Sequence, residues 1–202
     1  MTPAETFTEV RKAYRLLHDY QRMVIDAIRY IERQIDMPAW VVWPHFARDS
    51  RGGCRYLSDS SWDWLPMMSS VFHFVRQEGN DFYGLTILLI SDDGFIPGDN
   101  RDREDVTTFV SVDQSETRVA TFLYRQHPHT FNKDLFIKGV LHDFLRDGKA
   151  LPSHVTGRIY NAEQICSYEG LDMIVSELVE SAKAFDFPLK LIQRSQSTSE
   201  TQ

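Results

Sequence analysis

The sequence predicts an α+β domain in which helices pack mainly on one face of an antiparallel meander sheet of four or five strands. Three patterns support this prediction. Apolar residues recur every three or four positions near the N-terminus, they alternate or form short β-rich runs in the middle of the chain, and they return to helical spacing towards the C-terminus. Strands grouped between helices are typical of this fold class.

The first predicted element is one long helix over residues 3–36. Its apolar residues follow steps of three and four, interrupted only by Gln21. The stripe consists of Val10, Tyr14, Leu17, Val24, Ile28, Ile31 and Ile35. Further apolar residues widen the stripe on one side, so we expect it to pack on a sheet rather than in a narrow two-helix seam.

Charged residues on the other flank of this helix alternate almost regularly in sign. They are Arg15, Asp19, Arg22, Asp26, Arg29 and Arg33. Because residues three or four apart are neighbours on a helix, opposite charges can pair one turn away. The common interpretation is a solvated, self-paired surface. The alternative is a ridge on which a partner protein docks.

Five segments in the middle of the chain have strand patterns. They are residues 40–46, 68–76, 82–91, 107–112 and 118–126. Turn-forming sequences at 78–81 and 113–116 join the second segment to the third and the fourth to the fifth. These connections predict hairpins, and hence an antiparallel meander.

Two later helices are expected. Apolar spacing predicts one over residues 132–146. The other is expected to start near Asn161 or Glu169 and to end at Phe185, because Pro188 follows shortly afterwards. These two helices and the long first helix frame the predicted sheet.

Composition limits the class of protein. The chain has 202 residues, of which 42% are hydrophobic and 25% charged, as is typical of a globular protein of one domain. We therefore interpret residues 1–194 as a single α+β domain. Residues 195–202 contain only Ser, Thr, Gln and Glu, a composition that predicts a disordered tail.

The sequence indicates a cytoplasmic protein without a membrane partner. Its longest apolar run, residues 85–90, is too short to cross a bilayer, and its N-terminus lacks the basic start and apolar core of a signal peptide. Cys54 and Cys166 fit no metal or redox spacing, so both are expected to be reduced thiols.

The net charge of −7 is unevenly distributed. Residues 92–105 and residues 161–202 each carry a net charge of −4. Because nonspecific duplex binding depends on Lys and Arg that neutralise phosphates, an acidic chain without a long basic stripe is not expected to bind duplex nucleic acid. A local site for a small anionic ligand is compatible with this distribution.

The most concentrated candidate site contains all four tryptophans, with three arginines around the pair Gly52-Gly53 between them. Its residues are Trp40, Trp43, Arg48, Arg51, Arg55, Trp62 and Trp64. Indoles stack on nucleobases or sugars, and guanidinium groups bind phosphate or carboxylate. The segment therefore predicts a small-ligand or nucleotide site. The alternative is that the tryptophans fill the core where the first helix crosses the sheet.

Other candidates for chemistry are weaker. The acidic residues at 92–105 resemble a loop that could ligate Mg²⁺ or Ca²⁺, and His127 and His129 could ligate a transition metal, but both segments are also typical of ordinary loops. His73 points away from Phe72 and Phe74 and is expected to be exposed or functional. Since no nucleophile elbow or phosphate-binding loop is present, we predict no catalytic residue, metal or cofactor.

Two functions follow as hypotheses. The first is a non-enzymatic interaction protein, of an accessory, immunity-like or regulatory kind, that binds another protein through an exposed sheet face, the aromatic segment or the acidic C-terminal helix. A homodimer is compatible with it. The second, from a different class, is a small-ligand or nucleotide-binding domain that uses the tryptophans and arginines above. An enzyme that acts on a phosphorylated substrate is one form of this second hypothesis.

Overall fold

The computed structural model describes residues 2–45, 69–93, 110–126, 144 and 150–192. Two α-helices and five strands lie in these segments, together with two 3-10 helices. In chain order they are α1 (Pro3–Gln34), β1 (Ala39–His45), β2 (Ser69–Glu78), β3 (Asp81–Ile90), a 3-10 helix (Val112–Gln114), β4 (Arg118–Gln126), β5 (Val155–Asn161), a second 3-10 helix (Ala162–Cys166) and α2 (Tyr168–Ala184). This order confirms the predicted α+β class.

Helix α1 begins at a capping box, in which the first residues satisfy each other's backbone donors. The Glu5 amide donates to Thr2 Oγ1 at 3.3 Å, and the Thr2 amide donates to the Glu5 carboxylate at 2.6 Å. Pro3 fits the first turn because its missing N–H would have no helical partner there. The helix ends where Ile35 becomes extended and bridges to Leu191. The predicted long helix is confirmed.

The five strands form one sheet in the order β1-β2-β3-β4-β5, and every neighbouring pair is antiparallel. Strands β2 and β3 form the predicted hairpin, in which Glu78 pairs with Asp81. The tight turn between them places Gly79 at φ 61°, a conformation that glycine adopts readily. The predicted meander is therefore confirmed.

The fourth predicted strand differs from the structure. Of the predicted strand at 107–112, residues 107–109 lie outside the described residues, residues 110 and 111 are not in a strand, and Val112–Gln114 forms a 3-10 helix. The fifth strand of the sheet is instead β5, which pairs with β4 over seven residues from Arg118↔Asn161 to Tyr124↔Val155. Gly157 weakens the strand pattern of β5, but the sheet requires a glycine there because a Cβ would lie 2.6 Å from the Phe122 ring.

Both α-helices pack on the same face of the sheet. Their buried side chains form one core cluster with buried residues of β2, β3, β4 and β5. Ala39, at the start of β1, is partly buried and packs against this cluster. The largest fully buried members include Ile31 on α1, Ile174 on α2, and Phe72, Phe74, Leu85, Ile87, Leu89 and Leu123 on the sheet. The prediction that the helices pack on one face is confirmed for α1 and α2.

The second face of the sheet is also buried over its central strands. Its cluster consists of Val71, Leu88, Ile90, Ala120, Phe122, Tyr124 and Val155. Phe144 packs edge-on against Phe122, with ring centroids 5.6 Å apart, and Leu151 packs against the same cluster. This burial removes the central sheet face from the candidate docking surfaces.

Helix α2 corresponds to the last predicted helix. Ser167 caps its start, since the Gly170 amide donates to Ser167 Oγ at 3.1 Å. The start near Glu169 is thus the better of the two predicted starts, because the residues after Asn161 form the 3-10 helix Ala162–Cys166. The predicted helix at 132–146 lies outside the described residues except for Phe144, which is helical, and the predicted tail at 195–202 lies outside them entirely.

Candidate interaction site on the first helix

The first seventeen residues of α1 are exposed on every side. We call residues 3–19 the N-terminal arm. At 1.5 Å per residue the arm is about 25 Å long. It presents large apolar side chains to solvent, with exposed fractions of 63% for Phe7, 44% for Val10, 63% for Tyr14, 71% for Leu16 and 37% for Leu17.

Local interactions hold the arm in its helical form. Thr6 Oγ1 and Thr8 Oγ1 donate to carbonyls one turn earlier, at 3.1 and 2.9 Å, and Lys12 forms an ion pair with Glu9 at 2.9 Å. Within the described part of the chain, the first side-chain hydrogen bond from α1 to a distant residue is that of Tyr20, whose hydroxyl donates to Ser91 Oγ at 3.1 Å. Burial raises the pKa of Tyr20 and keeps this hydroxyl protonated.

The apolar stripe of the arm continues the buried stripe of the same helix. Phe7, Val10, Tyr14 and Leu17, which we call the arm stripe, are spaced three, four and three residues apart. The same spacing continues through Gln21, Val24, Ile28 and Ile31, all of which are buried in the domain. One helical face is therefore covered by the sheet in its second half and uncovered in its first half.

This exposure departs from the expectation that the whole stripe packs on the sheet. Val10, Tyr14 and Leu17 were expected inside and lie outside. The reason is one of length: a helix of 32 residues is about 48 Å long, whereas a strand of ten residues spans about 34 Å. A regular stripe gives no local signal of which end the sheet will leave uncovered.

The charged flank of α1 is only partly self-paired. Asp19 lies 3.3 Å from the His18 ring and Asp26 lies 3.9 Å from Arg29. Arg15 and Arg22 have no carboxylate within 4.0 Å among the residues that the structure describes. Arg11, one turn before Arg15, donates to Thr8 Oγ1 at 3.0 Å. We call Arg11, Arg15 and Arg22 the arginine row.

An open cleft of about 780 Å³ lies beside the residues of α1 that directly follow the arm. Tyr20 and Met23 of α1 form one wall, and the ends of β4 and β5 with the following 3-10 helix form the other. Arg118, which also lines the cleft, is held by Asp93 at 2.8 Å and Glu116 at 3.4 Å. A ligand that covered the arm could therefore extend past Tyr20 into this cleft.

Cys166 also lines this cleft and has a free thiol. Its sulfur lies 3.5 Å from the sulfur of Met23. This contact packs the 3-10 helix against α1, so packing alone accounts for the position of the Cys166 side chain. Cys166 is the cysteine that the described residues include, and Cys54 lies outside them, so the expectation that both thiols are reduced stays a prediction.

His73 is buried, contrary to the expectation of exposure. It does lie on the face opposite Phe72 and Phe74, but its exposed fraction is 0%. Its Nδ1 lies 2.8 Å from the hydroxyl of Thr86, which is also fully buried. Burial lowers the pKa of His73 to about 3, so the ring is neutral at physiological pH. This pair forms part of the core rather than a reactive site.

The predicted tryptophan and arginine site stays a prediction. Trp40 and Trp43 lie on β1, but their side chains are not among those described. The other five residues, Arg48, Arg51, Arg55, Trp62 and Trp64, lie outside the described residues. The structure therefore gives no geometry for that site.

The two weaker metal candidates are only partly covered. Asp93 accepts from the Glu116 amide at 2.7 Å and pairs with Arg118, so its carboxylate joins two loops at the end of the sheet. The rest of the acidic loop beyond Asp93, and His127 and His129, lie outside the described residues. Within the segments described, no group of three or more His, Cys, Asp or Glu could hold a metal ion.

The fold and this site define an α+β protein with an exposed amphipathic helical arm. The comparisons with known proteins add its family: a family model described as PM0109 matches residues 3–186, so the chain belongs to the PM0109 family. The match includes the whole arm. No curated protein and no solved structure gives a significant match. Among the described residues, no helix has the length and apolar character needed to span a membrane.

Proposed function

We propose that this protein is a non-enzymatic interaction protein that binds another protein through its N-terminal arm. The observation that supports the proposal is the exposed arm stripe, which continues a buried stripe on the same helix. Amphipathic helices that bind through such positions, three and four residues apart, are a recurring mode of protein recognition. An accessory or regulatory role in the cytoplasm is consistent with the free thiol of Cys166.

Burial of the arm stripe can supply useful binding energy. Burying a Leu, Val or Phe side chain completely stabilises a complex by about 1.5–3 kcal/mol. Phe7 and Tyr14 each retain 63% of their exposure, so a partner can recover most of that contribution from them. The arm is already helical and is continuous with the second half of α1, which is buried in the domain. Binding therefore costs less conformational entropy than it would for a disordered segment.

A pull-down from lysate of the protein's own source, with a matched pair of variants, tests this proposal. Phe7→Ala with Tyr14→Ala removes two side chains of the arm stripe. Lys12→Ala with Asp19→Ala removes two exposed side chains, also seven residues apart, from the opposite side of the helix. Alanine favours the helix in both variants, so helicity is preserved.

We expect the wild type and the Lys12, Asp19 variant to retain the same stoichiometric protein, and the Phe7, Tyr14 variant to bind it at least about tenfold more weakly. Circular dichroism checks that the variants fold alike. Equal retention by all three proteins would contradict the proposal, as would the absence of any partner or oligomer at micromolar concentration.

A further inference from the structure

We propose that the partner covers the arm with an amphipathic helix that carries Asp or Glu beside its apolar side chains. This inference rests on the proposed function and names the chemistry of the partner. It combines two features of the arm, the uncovered stripe and the arginine row beside it. Each limits the partner in a different way, because the stripe requires apolar side chains and the row requires carboxylates.

The arginine row adjoins one edge of the arm stripe. Arg11 is four residues after Phe7 and three before Tyr14, so its side chain lies next to both. Arg15 follows Arg11 one turn later, and both are exposed. The opposite edge of the stripe is uncharged, since Thr6, Ala13 and Tyr20 occupy the neighbouring positions there.

A second copy of the chain does not supply the missing carboxylates. An antiparallel pair of arms that places Phe7 opposite Leu17 also places Val10 opposite Tyr14, with the two-fold axis near residue 12. Arg11 then faces Arg11 of the other copy, which is repulsive. A parallel pair places Arg11 near the uncharged Thr6 edge. In both arrangements the second copy places no carboxylate beside the arginine row.

An anionic membrane surface fits the arm less well than an acidic helix does. Helices that lie on such membranes carry mainly Lys and Arg on their polar face. The polar face of the arm instead carries Glu5, Glu9 and Asp19, all exposed, alongside Lys12. Arg11 and Arg15, the arginines of the arm, lie together on one edge of the arm stripe, where a partner helix seated on the stripe would contact them.

The test uses two synthetic helical peptides of three heptads that share leucines at the apolar positions. One carries Glu at the positions that flank the leucines, and the other carries Lys at the same positions. Binding of each fluorescently labelled peptide to the full chain is followed by anisotropy at low and at high salt. We expect the Glu peptide to bind at least tenfold more tightly than the Lys peptide, with a preference that salt reduces.

Charge reversal provides the matched control. Arg11→Glu with Arg15→Glu should reverse the preference between the peptides. Lys183→Glu with Lys190→Glu changes the net charge of the chain by the same amount at two exposed positions outside α1, and should leave the preference for the Glu peptide in place.

The remaining outcomes separate failure of this inference from failure of the proposed function. Equal binding of both peptides, abolished by Phe7→Ala with Tyr14→Ala, would overturn the acidic partner and leave the arm as a binding surface. Binding of neither peptide would overturn the acidic partner. So would sedimentation of the free chain as a dimer that the same substitutions dissociate, or binding to vesicles of anionic lipid. Peptide binding that the Phe7, Tyr14 variant retains unchanged would contradict both proposals.

Discussion

Three polar residues on the second face of the sheet are buried, and contacts with neighbouring strands accommodate their side chains. His73 and Thr86 face each other across β2 and β3, and their side chains pair within an otherwise apolar cluster. Tyr124 lies over Gly84, where any Cβ would collide with its ring, and burial raises the pKa of its hydroxyl. This packing keeps the His73 ring and the Tyr124 hydroxyl in their uncharged forms.

Protonation of His73 should therefore destabilise the protein. Burial lowers the pKa of His73 to about 3 in the folded state, whereas in the unfolded state this pKa is near 6.5. Between these two pH values the His73 ring is neutral in the folded state and protonated in the unfolded state. The contribution of His73 to stability is complete above about pH 6.5 and falls by about 1.4 kcal/mol per pH unit as the pH decreases towards 3.

Urea denaturation at several pH values between 7 and 4.5 measures this effect. The control variant His73→Gln retains a polar group that can pair with Thr86 but cannot titrate in this range. We expect the free energy of unfolding to fall more steeply with decreasing pH in the wild type than in the variant. Parallel slopes would mean that His73 does not titrate as its burial requires.

Among the elements, α1 combines an exposed first half with a buried second half. Its second half contributes Val24, Ile28 and Ile31 to the core, whereas the arm contributes none of the buried residues of the helix. The repeating pattern of the sequence is the same in both halves. It predicts the helix correctly, but coverage by the sheet depends on the length of the strands and on contacts distant in sequence.

Removal of the arm should leave the domain intact. A variant that lacks residues 2–16 is expected to have a free energy of unfolding within about 0.5 kcal/mol of that of the full chain, because it loses no buried side chain. Ile28→Ala, in the anchored half, is expected to cost about 2–5 kcal/mol. Urea denaturation compares the two. A loss of stability on deletion as large as that of Ile28→Ala would show that the arm packs against the domain.

The strands differ in how well the sequence predicts them. The hairpin of β2 and β3 is predicted correctly because its signals are local: ten-residue runs rich in β-forming residues and a glycine turn between them. Strand β5 is missed because Gly157 breaks its pattern, and the reason for that glycine is the ring of Phe122 on another strand. Burial of His73 is missed for a similar reason, since its partner Thr86 is contributed by β3.

For the whole molecule, the sequence predicts the fold class and the order of most elements correctly, whereas its tryptophan and arginine site stays a prediction. The four tryptophans form the most concentrated feature of the sequence, yet the structure draws attention to the arm, whose apolar residues look like ordinary core positions. Only the three-dimensional arrangement distinguishes an uncovered stripe from a covered one. The net charge of −7 likewise conceals the arginine row beside that stripe.

Amide hydrogen exchange of the full chain, with and without the Glu peptide, tests the central claim most directly. In the free protein at low micromolar concentration, amides of residues 6–18 should exchange much faster than those of residues 21–34, because no packing protects them. With saturating Glu peptide, the arm amides should become protected while those of the sheet stay unchanged. Protection of the arm that already equals that of residues 21–34 in the free protein would contradict the account, as would peptide-induced protection confined to another surface.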